Sequence, residues 1–152
     1  MKKLNRKGFT LVELLAVIII LAIVVGITIP AILSTTDKAK EKAAQTAAQT
    51  SADWIERQYQ LYTIDPTSDG LNGNLKGKFA DSSFVLVNGT DDTIIEAAGL
   101  KKDNVTKIEV KINASSGRVC VRLTGKGDYP TTPVEGGACT GANWSSPASS
   151  GE

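Results

Sequence analysis

The chain has no histidine. That removes the commonest general base and the commonest metal ligand. Only two cysteines occur in 152 residues, Cys120 and Cys139, and their spacing fits no common zinc pattern. No acidic residue precedes Glu13, and residues 9–33 hold no Lys or Arg. No glycine-rich phosphate loop and no cluster of metal-ligating side chains is present. These absences leave no constellation for catalysis, so neither an enzyme nor a cofactor is expected. The length suits one modest domain plus an anchor, not two full domains.

The charge that is present is unevenly placed. Lys2, Lys3, Arg6 and Lys7 all precede Gly8. Taking those four cations from the formal +1 leaves a net −3 for the remainder. The bulk is therefore mildly acidic, with no global signature of nucleic-acid binding. After the cations, residues 9–33 read FTLVELLAVIIILAIVVGITIPAIL, interrupted only by Thr10, Glu13, Thr28 and Pro30. As a helix at about 1.5 Å per residue this stretch covers a hydrocarbon core. The basic flank keeps the start in the cytoplasm and sends the rest outside. A secretory signal peptide fits less well, because Thr28-Ile29-Pro30-Ala31 offers no small-x-small cleavage site. A plain signal anchor explains the charge and the hydrophobicity but not Glu13.

The block Lys7-Gly8-Phe9-Thr10-Leu11-Val12-Glu13-Leu14-Leu15, with its basic leader and apolar continuation, resembles the type IV pilins and the related pseudopilins. The likeness covers roughly the first third of the chain. It implies a leader, residues 1–8, cut between Gly8 and Phe9 by a prepilin peptidase, and N-methylation of the new Phe9 terminus. Gly8 suits a cut site because it lacks a side chain and tolerates strained backbone angles. The resemblance also implies a cytoplasmic-membrane precursor with one span, assembly by a platform protein and cytoplasmic ATPases, and a homopolymeric extracellular filament on the cell surface.

Glu13 is costly inside an apolar segment, on the order of several kcal/mol if unpaired. The nearby positive group in a mature chain would be the Phe9 amine. In the family such a glutamate meets the amine of a neighbouring subunit and fixes axial register. Snorkelling to the headgroups is the simpler alternative before assembly. Pro30 lacks an N–H and clashes with the carbonyl of Gly26, so Gly26 to Pro30 is where the helix is expected to kink or unwind.

Beyond residue 33 the fold class expected is α+β: a long helix packed on a small antiparallel sheet. Residues 34–62 form its amphipathic half, with Ala43, Ala47, Ser51, Trp54 or Ile55, Tyr59 and Tyr62 at helical spacing. Residues 63–152 form the head. Residues 63–78, rich in Gly, Asp, Asn and Pro, read as a loop. Phe84–Val87 is a short strand, and Asp92 caps a short helix through Ala98, closed by Gly99. Val105–Ile112 and Arg118–Thr124 make a hairpin. Its apolar alternation sets Ile112 opposite Val119, Val110 opposite Val121 and Glu109 opposite Arg122. Cys120 and Cys139, in a segment placed outside the cell, read as one disulfide closing a loop of about 20 residues worth roughly 3 kcal/mol. The enclosed segment has little local structure of its own. Such a bridged C-terminal loop also resembles many type IV pilins. The tail from Thr140 reads as mobile, with Trp144 able to dock on the head.

Three weaker signals read as ordinary surface. Asp91-Asp92 falls short of a calcium site and reads as a solvated turn. Lys101, Lys102, Lys107, Lys111, Arg118, Arg122 and Lys126 are interleaved with acids, so a solvated face is preferred to DNA capture. The N-x-S/T triplets at Asn88, Asn104, Asn113 and Asn143 read as chance. The function expected is a major structural pilin acting in adhesion, motility or contact with a host surface. The alternatives are a pseudopilin of a secretion or DNA-uptake system and a membrane-anchored extracellular binding module that never polymerises.

Overall fold

A computed structural model describes residues 9–142, with backbone alone at residues 28–31 and 33. The leader, Gly8, Asn143 and Trp144 lie outside the described residues. The chain divides into two compact units, Met1–Lys38 and Ala39–Glu152.

Helix α1 spans Leu11–Ile64, through Gly26 and Pro30 without a break in its assignment. Its sequence explains its persistence: Leu and Ala are strong helix formers, and the segment 43–50 repeats Ala-Ala-Gln-Thr. The helix stops where Pro66 disfavours helical angles at Asp65. There the Asp65 carboxylate accepts from the Thr67 N–H at 2.8 Å and from its hydroxyl at 2.6 Å. Those two bonds, the hydroxyl's first, hold the Asp65 carboxyl below the ordinary aspartate value.

In the second unit the strands β1 (Ser83–Val87), β2 (Val105–Ile112), β3 (Val119–Gly125) and β4 (Val134–Gly137) form one antiparallel sheet in the order β1-β2-β3-β4. The hairpin register is the expected one, with Ile112 opposite Val119, Val110 opposite Val121 and Glu109 opposite Arg122. Alternation decides the faces: Leu86, Ile108, Val110, Val119, Val121 and Leu123 are buried against the helix, and Lys107, Glu109 and Arg122 lie opposite. Each fully buried aliphatic side chain stabilises the unit by roughly 1.5–3 kcal/mol.

The stripe of α1 that meets this core differs from the expected one. Ala44, Ala48, Ser51, Ala52, Ile55 and Gln58 are buried, whereas Ala43 is exposed and Ala47 and Trp54 are half-buried. Alanine at neighbouring positions makes the stripe's centre ambiguous by one residue in sequence; Ile55 and the sheet decide it. Tyr59, Tyr62 and Phe84 surround Phe79, with ring centroids 5.5, 5.5 and 6.1 Å away.

Three other expectations need correction. The stretch 63–78 is not wholly a loop, because α2 (Gly73–Lys76) and a 3-10 turn (Gly77–Ala80) carry the buried Leu75 and Phe79. Asn72 caps α2, accepting from the Asn74 and Leu75 N–H groups at 3.1 Å. The short helix α3 (Asp92–Ala97) begins one residue earlier than expected, with Asp91 at the cap position. Asp91 is not solvated: it is 7% exposed, accepts from the Val87 N–H at 2.9 Å and pairs with Lys78 at 3.0 Å. The neighbouring Asp92 accepts from the Gly89 N–H.

The segment closed by the disulfide is also more ordered than expected, since it contains β4. Two glycines hid that strand, because glycine is a poor strand former. Here it is required. A Cβ on Gly136 would lie 2.3 Å from the backbone of Ala48 and Gln49, and Gly137 holds φ +84, where a Cβ would lie 2.3 Å from the Val119 carbonyl oxygen and 2.7 Å from the Ala52 Cβ. The strand therefore lies directly on the α1 backbone, and the Gln49 side chain accepts from the Gly137 N–H at 2.8 Å.

Gly136→Ala should lower stability by about 1–3 kcal/mol through this overpacking. Gly73→Ala, which meets open space, should change it by less than about 0.5 kcal/mol. Urea midpoints of the oxidised chain in detergent check the contrast; equal midpoints would refute the close approach.

Candidate functional site

The first residues of α1 form a local polar site at the head of an apolar surface. Thr10 precedes the helix, and Glu13 lies in its first turn. The Thr10 N–H and hydroxyl each donate to Glu13 Oε2 at 2.9 Å, and the Glu13 N–H donates to Thr10 Oγ1 at 3.3 Å. This reciprocal pairing is a capping box. It satisfies helix-end donors, and it places a carboxylate where the helix dipole favours one.

Thr10's part was readable and was missed. The pattern Thr-Leu-Val-Glu before an apolar run is the capping-box signature. The expectation that Glu13 had only a chain-end amine to answer it therefore needs amending: within its own chain the carboxylate is already held by Thr10. Phe9, one residue earlier, is 90% exposed.

After Glu13 the helix is apolar on every side. The large side chains from Leu14 to Ile27 are each about half exposed or more, as is Ile32. A helix that is hydrophobic all round belongs inside a protein assembly or a bilayer. Among the described residues no helix is long and apolar enough to cross a membrane. Leu11–Ile27, whose side chains are described, reach about 26 Å, short of the roughly 30 Å hydrocarbon core. The expected continuation through Pro30 and Leu33 falls where most side chains are not described.

The other expected site residues lie in the second unit. Cys120 and Cys139 are bonded to each other, tying the end of β4 to β3. The basic stretch is largely engaged. Arg122 donates to both Glu109 oxygens at 2.8 and 2.9 Å, Lys107 pairs with Glu109, Arg118 with Glu56, and Lys102 with Asp92 and Glu96. Glu96, and Asp92 after it, hold the Lys102 amine above its ordinary pKa. A face neutralised in this way is a poor phosphate track. Asn88 donates its amide to the carbonyls of Lys102 and Val105. That amide is structural, not a free acceptor for a glycan. Among the described residues no group of three or more acids or cysteines is placed to hold a metal.

A family model described as the prokaryotic N-terminal methylation motif matches residues 3–29. It is the class III signal of type IV pilins, and it supports a type IV pilin-like or pseudopilin-like protein, with an N-terminus of the kind processed by prepilin peptidase. The α+β architecture, a helix followed by a four-stranded antiparallel sheet, is consistent with the pilin fold. No curated protein and no solved structure matches the chain.

Thr10→Val should cost the start of α1 about 1 kcal/mol, and Thr10→Ser much less. Amide exchange at Leu11 to Glu13 in micelles reads this directly. Unchanged exchange in the valine variant would show that the capping box is not formed. Replacing Cys120 and Cys139 together by alanine should cost roughly 3 kcal/mol in the same unfolding assay; a loss near zero would mean that β4 is held without the bridge.

Proposed function

We propose that this chain is a major structural pilin. It is made with leader 1–8, cut between Gly8 and Phe9, methylated on Phe9, and held in the cytoplasmic membrane by residues 9–33 until it polymerises. The observation that carries this reading is the all-round apolar helix from Leu14, headed by a single carboxylate. In water such a helix needs cover, and its large side chains from Leu14 to Ile27 are about half exposed or more. A bilayer covers it before assembly, and the same segments of neighbouring copies cover it afterwards.

In that filament Glu13 has two partners. Thr10 of its own chain orients the carboxylate, and the amine of a neighbour's Phe9 supplies the opposite charge. The pair fixes how far one helix slides along the next, because any other offset leaves two charges in an apolar core. Gly26 and Pro30 are the weakest helix residues in the stretch and are where α1 would yield if packing demands extension. The head, with its bridged C-terminal segment, coats the fibre. Pilus-assembly machinery is required throughout: a peptidase, a platform protein and ATPases.

Glu13→Ala should leave membrane insertion intact and cut the yield of sheared surface filaments by tenfold or more, as an apolar substitution removes only the register. Filaments are counted by electron microscopy, and mass spectrometry looks for methylated Phe9 as the first residue. Wild-type yield from the variant would remove the register role. Full-length chain beginning at Met1, with no filaments, would favour the anchored binding module.

A further inference from the structure

An asparagine followed by glycine carries a latent reaction. The glycine nitrogen can attack the side-chain amide carbon of the asparagine, and with no Cβ on the glycine nothing obstructs the approach. The chain has two such pairs, Asn72-Gly73 and Asn88-Gly89. Exposure does not separate them, because each asparagine is half-buried and each glycine exposed. Hydrogen bonding does.

At Asn88 both reacting groups are engaged. Its amide nitrogen, the leaving group, donates to the Lys102 and Val105 carbonyls, and the Gly89 N–H, the nucleophile, donates to Asp92 Oδ1 at 2.6 Å. Attack there first breaks three hydrogen bonds in the connection between β1 and α3. At Asn72 neither the amide nitrogen nor the Gly73 N–H has an acceptor among the described residues. What is held is the side-chain oxygen, which accepts from the Asn74 and Leu75 N–H groups, both at 3.1 Å. Two donors on that oxygen favour the negative charge it gains as the nitrogen adds. A Cβ on Gly73 would meet nothing within 4 Å, so the space beside the nucleophile is open. The attack also rotates the Asn72–Gly73 peptide, which frees the Asn72 carbonyl from the Leu75 and Lys76 N–H groups. Those bonds belong to α2, a helix of four residues, and so short a helix opens at little cost.

We propose that Asn72 is a site of spontaneous deamidation. The Gly73 nitrogen bonds to Asn72 Cγ, the Cγ–Nδ2 bond breaks, and the Gly73 proton leaves with Nδ2 as ammonia. The product is a five-membered succinimide. Water then adds to either ring carbonyl and opens the ring to aspartate or isoaspartate at position 72, so water is the only co-reactant. Each event turns a neutral side chain into a carboxylate. Aspartate still caps α2. Isoaspartate lengthens the backbone by one carbon and withdraws the cap from the helix that carries Leu75. The change marks the age of a chain at its surface and does not depend on filament assembly.

The test incubates the full oxidised chain in detergent at neutral pH, beside the same chain unfolded in urea. Peptide mass spectrometry follows the conversion of amide to acid at both asparagines. The ratio of the Asn72 rate to the Asn88 rate should be at least about tenfold larger in the folded chain than in the unfolded one. Gly73→Ala should slow Asn72 about tenfold by crowding the nucleophile, with far-UV circular dichroism confirming that the variant is folded. A ratio unchanged or inverted by folding would overturn the proposal, as would a folded chain in which Asn72 does not convert. An Asn72 rate unaltered in folded Gly73→Ala would also overturn it, because the glycine nitrogen would then not be the attacking group.

Discussion

An α-helix whose side chains are apolar on all sides cannot rest in water, and everything distinctive about this chain follows from that constraint. From Leu14 to Ile27 the large apolar side chains are each about half exposed or more. The helix is therefore a surface waiting for an environment. Burial of such side chains is worth roughly 1.5–3 kcal/mol each, so the gain from covering the segment far exceeds the cost of placing one carboxylate at its start. In the proposed filament the carboxylate would supply specificity: apolar packing alone tolerates sliding, and a charge that must be answered does not.

The capping box changes how that charge is understood. Glu13 is not simply an unpaired acid in an apolar run. Its Oε2 is held by two donors from Thr10, which fixes its direction and ends the helix in one step. A cation could then be met without losing the cap, because a carboxylate has acceptor sites to spare. In the proposed filament, pre-orientation of this kind would lower the entropy lost when an incoming chain end docks. In the second unit a parallel economy is at work. Gln49, Glu56 and Gln58 each reach from α1 to hold a distant backbone N–H, those of Gly137, Val119 and Asn72. One helix thus positions β4, the start of β3 and the entry to α2.

What could be read from the residues followed the strength of their periodicity. Val105–Ile112 and Val119–Gly125 alternate cleanly, and their register was legible because a slip by one residue would turn every apolar side chain outward. The N-terminal block was legible because a basic leader, a glycine, an aromatic and an acid stand in fixed order before an apolar run. Three things were not. β4 has four residues, two of them glycine, and its reason for existing is a helix backbone 88 residues away in sequence. Leu75 and Phe79 sit among turn residues, and only the core that receives them shows that they fold. Asp91 looks like any surface acid until Lys78 and the Val87 N–H are seen to converge on it.

The account turns on whether other copies cover residues 14–27 in the native state. A single cysteine placed at Ile19, with the native Cys120–Cys139 pair left oxidised, can be probed with a water-soluble maleimide on material sheared from cells. It should stay unlabelled until detergent separates the subunits, while a cysteine at the exposed Thr50 reacts at once. Equal and rapid labelling at both positions before dissociation would show that the apolar helix is not buried between copies, and the account would fail.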